Sequence, residues 1–571
     1  MRLICRLFGL FGLIACTAPE ASKTGTTLFQ LLDSSQTGID FSNAITTSDS
    51  LNFQRDAYVY NGAGVGIGDI NNDGLPDIFF AGNEVSSRLY LNKGAMRFED
   101  ITKRAGVSTD RWATGVALID INNDGYLDIY VSVSGPQWTP AAKRANLLFV
   151  NNGNGTFTEA AGRYGVADTG FTTQAAFFDY NRDNCLDLFL LNGSAKDFSR
   201  TDFPEQRLGR HAAVGSQNEL YRNNCDGTFT NISRQSGIAA DRGFGLGVAI
   251  ADLNADGWPD IYVSNDIAPN DVVYMNNRNG TFTNKREAWF KHTSYSGMGV
   301  DVADFNNDGW PDVLQVDMLP RALSQRKKTT GSTTLAALTE ARLRGLLDDF
   351  TANSLQLNVG RTSGRDVLFS DIAHMAGVAA TDWSWGPLFA DFDNDGNKDI
   401  LITTGYPKAV NDRDYVLPPI GGGSGFGTGP RQSPLQMLHN LYAYQVSNYV
   451  FRNLGDLTFR DETTDWGMRQ PSFSYGAAYA DLDNDGRIDV VVNNLNAPAF
   501  VYHNVGRSDS AQHYLTVKLD GEPPNRDGFG AQLAVTAGGT KQYVYQSPYR
   551  GYMSSVDLRP HFGLGRRTRV D

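Results

Sequence analysis

The chain has 571 residues, 41% hydrophobic content and a formal net charge of −13, with a sequence pI of about 5.1. This is ample apolar material for a folded protein, and sixty glycines fit many turns. The acidity, with no visible basic stripe, excludes a nucleic-acid partner. The length is large for one compact core, but suits an array of small units sharing a distributed core.

At the N-terminus, Arg2 and Arg6 bracket the start of an apolar run from Leu7 to Cys16. The run is too short to span a membrane and reads as a signal peptide. Leu13-Ile-Ala-Cys16 resembles a bacterial lipobox. That resemblance implies cleavage before Cys16, lipidation of its sulfur and a membrane partner through the lipid. Residues 1–15 are then the signal peptide and 16–26 a tether. Thr17 follows the cysteine, where no Asp signals inner-membrane retention, so an outer-membrane or cell-surface location is expected. Export permits a disulfide. Cys185 and Cys225 are the cysteines left after Cys16 in the mature chain. A bridge between them and two free thiols are both open readings.

From Asp69 onward the chain repeats an acidic nonapeptide, D-x-[ND]-x-D-[GN]-x-x-D, seven times. Oxygen-bearing side chains fall at positions 1, 3, 5 and 9. In chain order these are Asp69, Asn71, Asp73 and Asp77; Asp120, Asn122, Asp124 and Asp128; Asp179, Asn181, Asp183 and Asp187; Asp252, Asn254, Asp256 and Asp260. The remaining copies supply Asp304, Asn306, Asp308 and Asp312; Asp391, Asp393, Asp395 and Asp399; Asp481, Asp483, Asp485 and Asp489. Calcium takes six to eight hard oxygen ligands, and alternating Asp and Asn in a tight loop aim theirs at one point. Glycine at position 6 allows the sharp turn, and the carbonyl of position 7 completes the shell. Up to seven calcium ions are expected. Seven divalent ions would contribute +14 against the −13 of the chain. An EF-hand is excluded: position 12 is Phe80, Val131, Leu190, Val263, Gln315, Ile402 and Val492, never Glu, and the flanks are strand-like.

Each loop is followed by a second signature, such as Leu89-Tyr-Leu-Asn-Lys-Gly-Ala-Met-Arg-Phe98 or Leu220-Tyr-Arg-Asn-Asn-Cys-Asp-Gly-Thr-Phe229, which reads as strand, turn and strand. One unit is thus strand A, acidic loop, strand B, connection, strand C, turn, strand D. Seven such units over residues 27–506 predict an all-β fold, a seven-bladed β-propeller with calcium loops between strands A and B. Long insertions fall between B and C at 192–217, 319–352 and 405–447. The second carries a helical pattern from Leu335 and the third a Gly-rich run, Gly421 to Gly429. The seventh unit lacks its strand D. Thr26-Thr-Leu-Phe29-Gln matches the missing piece, so an N-terminal strand is expected to close the ring.

These units resemble the FG-GAP/VCBS repeats of integrin α-subunit propellers and their bacterial relatives. Residues 507–571 resemble the start of an ASPIC/UnbV-type β domain, through His513-Tyr-Leu-Thr-Val, Asn525-Arg-Asp-Gly-Phe-Gly-Ala531 and Phe562-Gly-Leu-Gly565. The combination is similar to exported Bacteroidota proteins, many of them lipoproteins. The resemblance implies calcium roles for the Asp and Asn positions and no settled catalytic activity. The third loop departs from the pattern with Asn184 at position 6. The chain stops at Asp571 without the rest of that C-terminal domain, so it is read as truncated there.

Beyond the loops, no zinc spacing, nucleophile elbow or P-loop is found. His292, Trp383 and Trp385 read as structural residues, with a channel-facing His or an aromatic sugar platform as the rival. The favoured function is a non-enzymatic, calcium-stabilised, lipid-anchored surface or adhesion scaffold for a protein or glycan. The alternative is a polysaccharide lyase-like enzyme on the same propeller, which needs a channel-facing His/Tyr/Arg/Lys cluster. A–B loops lie on one face of a propeller and B–C insertions on the other, so the partner is expected opposite the calcium loops.

Overall fold

In the computed structural model the described residues are 27–53, 55–193, 217–240, 243–266, 270–329, 339, 342–343, 348–361, 366–412, 436, 439–506 and 512–571. Cys16, the Gly421–Gly429 run and most of the helical pattern after Leu335 lie outside them.

Seven antiparallel blades form the body of the chain. Blade 2 is representative: strand A is Ala113–Ile119, B is Asp128–Val133, C is Leu147–Asn151 and D is Phe157–Glu159. Strands A and B are buried along their whole length, because both of their faces pack on neighbouring blades. The C–D hairpin is short, and strand D is followed in most blades by a helical turn ended by a left-handed Gly, as at Gly106 and Gly165. Apolar clusters bridge adjacent blades rather than filling one centre. Phe177 and Phe189 of blade 3, for example, share a core with Tyr130 of blade 2 and Val248 of blade 4.

The seventh blade is built from Ser474–Ala480, Asp489–Asn494, Phe500–Asn504 and the N-terminal strand Phe29–Leu32. The N-terminal strand runs antiparallel to Phe500–Asn504, with Phe29 opposite Asn504 and Leu32 opposite Val501. Ring closure therefore joins the two ends of the repeat array and pairs the outer side of Phe500–Asn504, with Phe29–Leu32 as the outermost strand.

B–C and D–A connections share one face. Asp348–Phe350, in the B–C insertion of blade 5, pairs with His292–Ser294, which leads into strand A of that blade. Val446–Ser447, in the B–C insertion of blade 6, likewise pairs with Pro471–Ser472, in the D–A connection from blade 6 to blade 7. The acidic A–B loops lie at the other end of the strands.

The C-terminal region, 512–571 among the described residues, is β-rich: His513–Thr516 pairs with His561–Gly565 and Gln532–Ala537 with Thr540–Tyr545. It has a small core of its own, around Val535, Ala537, Phe562 and Leu564. Its middle, however, enters the propeller. Ser554–Ser555 extends blade 1, with Ser555 paired in parallel to Gly66. Val300 and Gly551 exchange two backbone hydrogen bonds of 3.1 Å, and the Val116 amide donates to the Met553 carbonyl at 3.0 Å. The Tyr549 hydroxyl donates to the Leu118 carbonyl, and the Tyr552 ring packs 5.3 Å from Trp385. The segment thus touches the inner strands of blades 1, 2, 5 and 6 and fills the central channel. Two glycines record how close it comes: a Cβ on Gly64 would lie 1.7 Å from the Met553 carbonyl oxygen, and one on Gly299 2.8 Å from that of Gly551.

Candidate calcium sites

All seven acidic loops have one backbone design. Position 1 accepts twice: its carboxylate takes the amides of positions 5 and 6, as in Asp73 and Gly74 donating to Asp69 at 3.1 and 2.8 Å. Position 5 accepts from the amide of position 7, as Leu75 donates to Asp73 at 2.9 Å. Position 9 ties the loop shut, since Ile70 donates to Asp77 at 3.0 Å. The same bonds recur through the seventh loop, where Asp485 and Gly486 donate to Asp481, and Leu482 to Asp489. Position 6 is left-handed throughout. Asn184 adopts it at φ +74 and donates to Asp179 at 2.8 Å, so the third loop keeps the shape despite lacking glycine.

Two sets of residues were missed by sequence reasoning. The first is position 4, left-handed in every loop: Asn72, Asn123, Arg182, Ala255, Asn307, Asn394 and Asn484. Four of these asparagines bind the next loop, with Asn72 donating to Gly125 O, Asn307 to Gly396 O, Asn394 to Gly486 O and Asn484 to Gly74 O, at 2.8–3.0 Å. The second is the Asn ending each strand C. Asn92 donates its amide to Asp77 at 2.7 Å, and its side chain donates to Pro76 O in the same blade and Leu482 O in the neighbouring one. Asn151, Asn276, Asn358, Asn453 and Asn504 repeat the blade-to-blade staple. Its signal was present in the sequence as the recurring Asn before each C–D turn.

The electrostatics favour a hard cation. The position-9 carboxylates are buried among other carboxylates. Burial, with the repulsion of Asp69 and Asp73, pushes Asp77 up to about 7, and burial does the same for Asp128. Asp187, Asp260, Asp312, Asp399 and Asp489 are raised well above the ordinary carboxylate range, chiefly by burial. In the sixth loop, oxygens of Asp391, Asp393 and Asp399 lie within 4.8 Å of one another; in the seventh, those of Asp481, Asp483 and Asp489 do. Such a cluster of like charges removed from water is relieved by a divalent ion, and an all-oxygen donor set suits calcium. These two loops carry a fourth carboxylate, and each has a basic group on strand C beside it. Arg452 lies 2.8 Å from Asp393 and 2.9 Å from Asp395, and His503 lies 3.2 Å from Asp483.

The other residues singled out by sequence are placed as follows. Cys185 and Cys225 are joined, with Cα atoms 5.9 Å apart, clamping the third loop to the C–D turn of its blade. His292 sits 3.5 Å from Asp371, its ring against Phe350 at 5.5 Å. Trp383 stacks on Tyr406 at 3.9 Å and Trp385 packs 4.7 Å from Tyr475, so both belong to the inner core. The channel's charged pair, Arg550 and Asp301 at 2.7 Å, is buried, and Arg550 also donates to Tyr479.

Similarity to known proteins follows the same division. Residues 69–131, 211–263, 252–314 and 441–492 match the FG-GAP-like repeat, and residues 521–571 match ASPIC and UnbV. Cartilage acidic protein 1 of Xenopus tropicalis is 28% identical over 274 residues, 44% of this chain and 39% of that protein. Integrin alpha-6 of Gallus gallus is 37% identical over 81 residues, 12% of this chain and 8% of the integrin. The chain thus spans well under two thirds of either relative. Among solved structures, an Agrocybe aegerita lectin that recognises non-reducing terminal N-acetylglucosamine has a TM-score of 0.37 at 17% identity, over 73% of this chain and 84% of the lectin. The protein therefore carries FG-GAP-like repeats in its propeller, an ASPIC and UnbV segment at its C-terminal end, and a stretch of homology to an integrin alpha chain.

Proposed function

We propose that this is an exported scaffold, anchored through a lipid on Cys16, whose propeller is held by up to seven calcium ions and binds a protein or glycan on the face opposite the acidic loops. The observation that carries the choice of face is where large apolar side chains are left in water. Trp138 is 49% exposed, Phe350 45% and Tyr442 43%, and each sits on a B–C connection, in blades 2, 5 and 6. Leu323 and Leu343, in the blade 5 connection, are exposed as well. Aromatic side chains held on a rigid frame are the usual anchors of recognition. The acidic-loop face also keeps exposed apolar side chains, Leu454 and Tyr514, but C-terminal residues such as Gln532 and Gly563 lie over its loops.

A scaffold is favoured over a lyase because the channel, where such a reaction would need a cleft, is packed with the chain's own Tyr549–Ser555. Its Arg550 is committed to Asp301 and Tyr479. The test is a glycan array and a cell-surface binding assay on the whole chain and on a Trp138→Ala/Tyr442→Ala variant. Unchanged melting with lost binding supports this face. Binding that survives these changes, and survives shortening of 319–352 and 405–447, but is lost on altering surface residues beside the acidic loops, refutes it.

A further inference from the structure

We propose that the C-terminal segment and the acidic loops are thermodynamically coupled, with Gln532 and the strand residue Gly563 positioning ligands of the fourth and sixth loops, and with bound calcium holding Tyr549–Ser555 in the channel. The inference rests on the calcium reading above. Its basis is where the segment lands. Gln532 Nε2 donates to Asp252 Oδ2 at 2.8 Å, and that oxygen also takes the Gly257 amide at 2.8 Å. Gln532 therefore fixes the rotation of a position-1 carboxylate. Gly563 passes so close to Asp391 that a Cβ there would lie 1.9 Å from Oδ2. The Gly565 amide donates to Asn394 O at 2.7 Å, and His561 Nε2 lies 2.6 Å from Asn394 Oδ1. Arg559 donates to Asn484 Oδ1 at 3.0 Å in the seventh loop. Between Gln532 and Arg559 the same stretch of chain passes through the channel, where Gly551 and Met553 are bonded to blades 5, 2 and 3.

These contacts fall on loop atoms whose arrangement an ion would set. Without a cation, the carboxylates of Asp391, Asp393 and Asp399, within 4.8 Å of one another, repel and the loop relaxes. The surface that seats Gly563 and His561 then moves. Coupling of this kind is reciprocal: whatever calcium adds to docking of the segment, docking adds to calcium affinity.

The experiment is hydrogen exchange on the full chain, in saturating calcium and in chelator, read at the Gly551 and Val300 amides. Chelation is expected to speed exchange there by about tenfold or more, the scale of an ordinary allosteric coupling. Asp391→Asn should raise exchange at Gly551, and Asp69→Asn, in the first loop, should raise it less. Calorimetric calcium titration of Gln532→Ala should show one site weakened, by roughly five- to tenfold, with the other sites near wild type. This last readout distinguishes positioning from general loss of stability, and holds even where Asp391→Asn fails to fold. If calcium binds but exchange at Gly551 does not respond, or the two Asp variants act equally, the coupling is wrong and the calcium reading stands. If no calcium binds to the wild type, both fall.

Discussion

Phe29 offers the most direct test of ring closure. It lies on the N-terminal strand, is 1% exposed, and packs against Phe392 at 5.6 Å, Trp466 at 6.4 Å and Tyr502 at 6.4 Å. Phe392 and Trp466 belong to blade 6 and the connection after it, so Phe29 joins two blades as well as two ends of the chain. Truncating a buried Phe to Ala costs about 3–5 kcal/mol through lost transfer energy and the cavity left behind. Unfolding entropy near 60 °C is about 2.1 cal/mol/K per residue. Over the described residues that amounts to roughly 1.0 kcal/mol/K, so Phe29→Ala should lower Tm by about 3–5 °C. Gln30→Ala, on the exposed side of the same strand, should stay within about 0.5 kcal/mol of wild type. Deleting residues 17–31 should expose the edge of Phe500–Asn504 and promote aggregation. The assay is calorimetric melting with light scattering. A Tm for Phe29→Ala indistinguishable from that of Gln30→Ala, or a deletion that remains monomeric and unchanged in Tm, would refute closure by this strand.

Calcium removal should lower Tm: with Kd of roughly 0.1–1 mM, as in extracellular modules, about 1 mM calcium stabilises by about 0.4–1.4 kcal/mol per site. A melting curve insensitive to prolonged chelation would contradict this. The pH dependence should invert with calcium. Asp77 and Asp128 are raised to about 7, above the unfolded value of 3.8. The folded apo state therefore binds more protons than the unfolded one between about pH 4 and 7, and its stability falls as pH rises through that window. The calcium-loaded state needs the ionised form and should gain stability over the same range; parallel curves would refute the shifts. Breaking the Cys185–Cys225 bridge, which spans 40 residues of sequence, by Cys225→Ser should cost about 3–4 kcal/mol in denaturant unfolding. Cys16→Ala should abolish palmitate labelling in a bacterial host and move the protein out of the membrane fraction.

The sequence alone specified the blades. Each unit carries its strands, its acidic loop and its turn within a short stretch, and repetition multiplied a weak local signal sevenfold. The closing strand was legible for the same reason, because Thr26–Gln30 is a local copy of a motif seen elsewhere in the chain. The left-handed position 4 was not, since Asn, Arg and Ala all occupy it and its partner is the next loop, 53 residues away for Asn72 and Gly125. The fate of residues 549–556 was decided by tertiary structure. Tyr549, Arg550, Tyr552 and Met553 form no period-2 pattern, because they face a channel that surrounds them on every side. Their partners lie hundreds of residues away: Arg550 meets Asp301 at a separation of 249, and Tyr552 meets Asn61 at 491. Until the seven blades close, those partners do not form a surface, so no local pattern in the chain could record that the C-terminal segment belongs inside it.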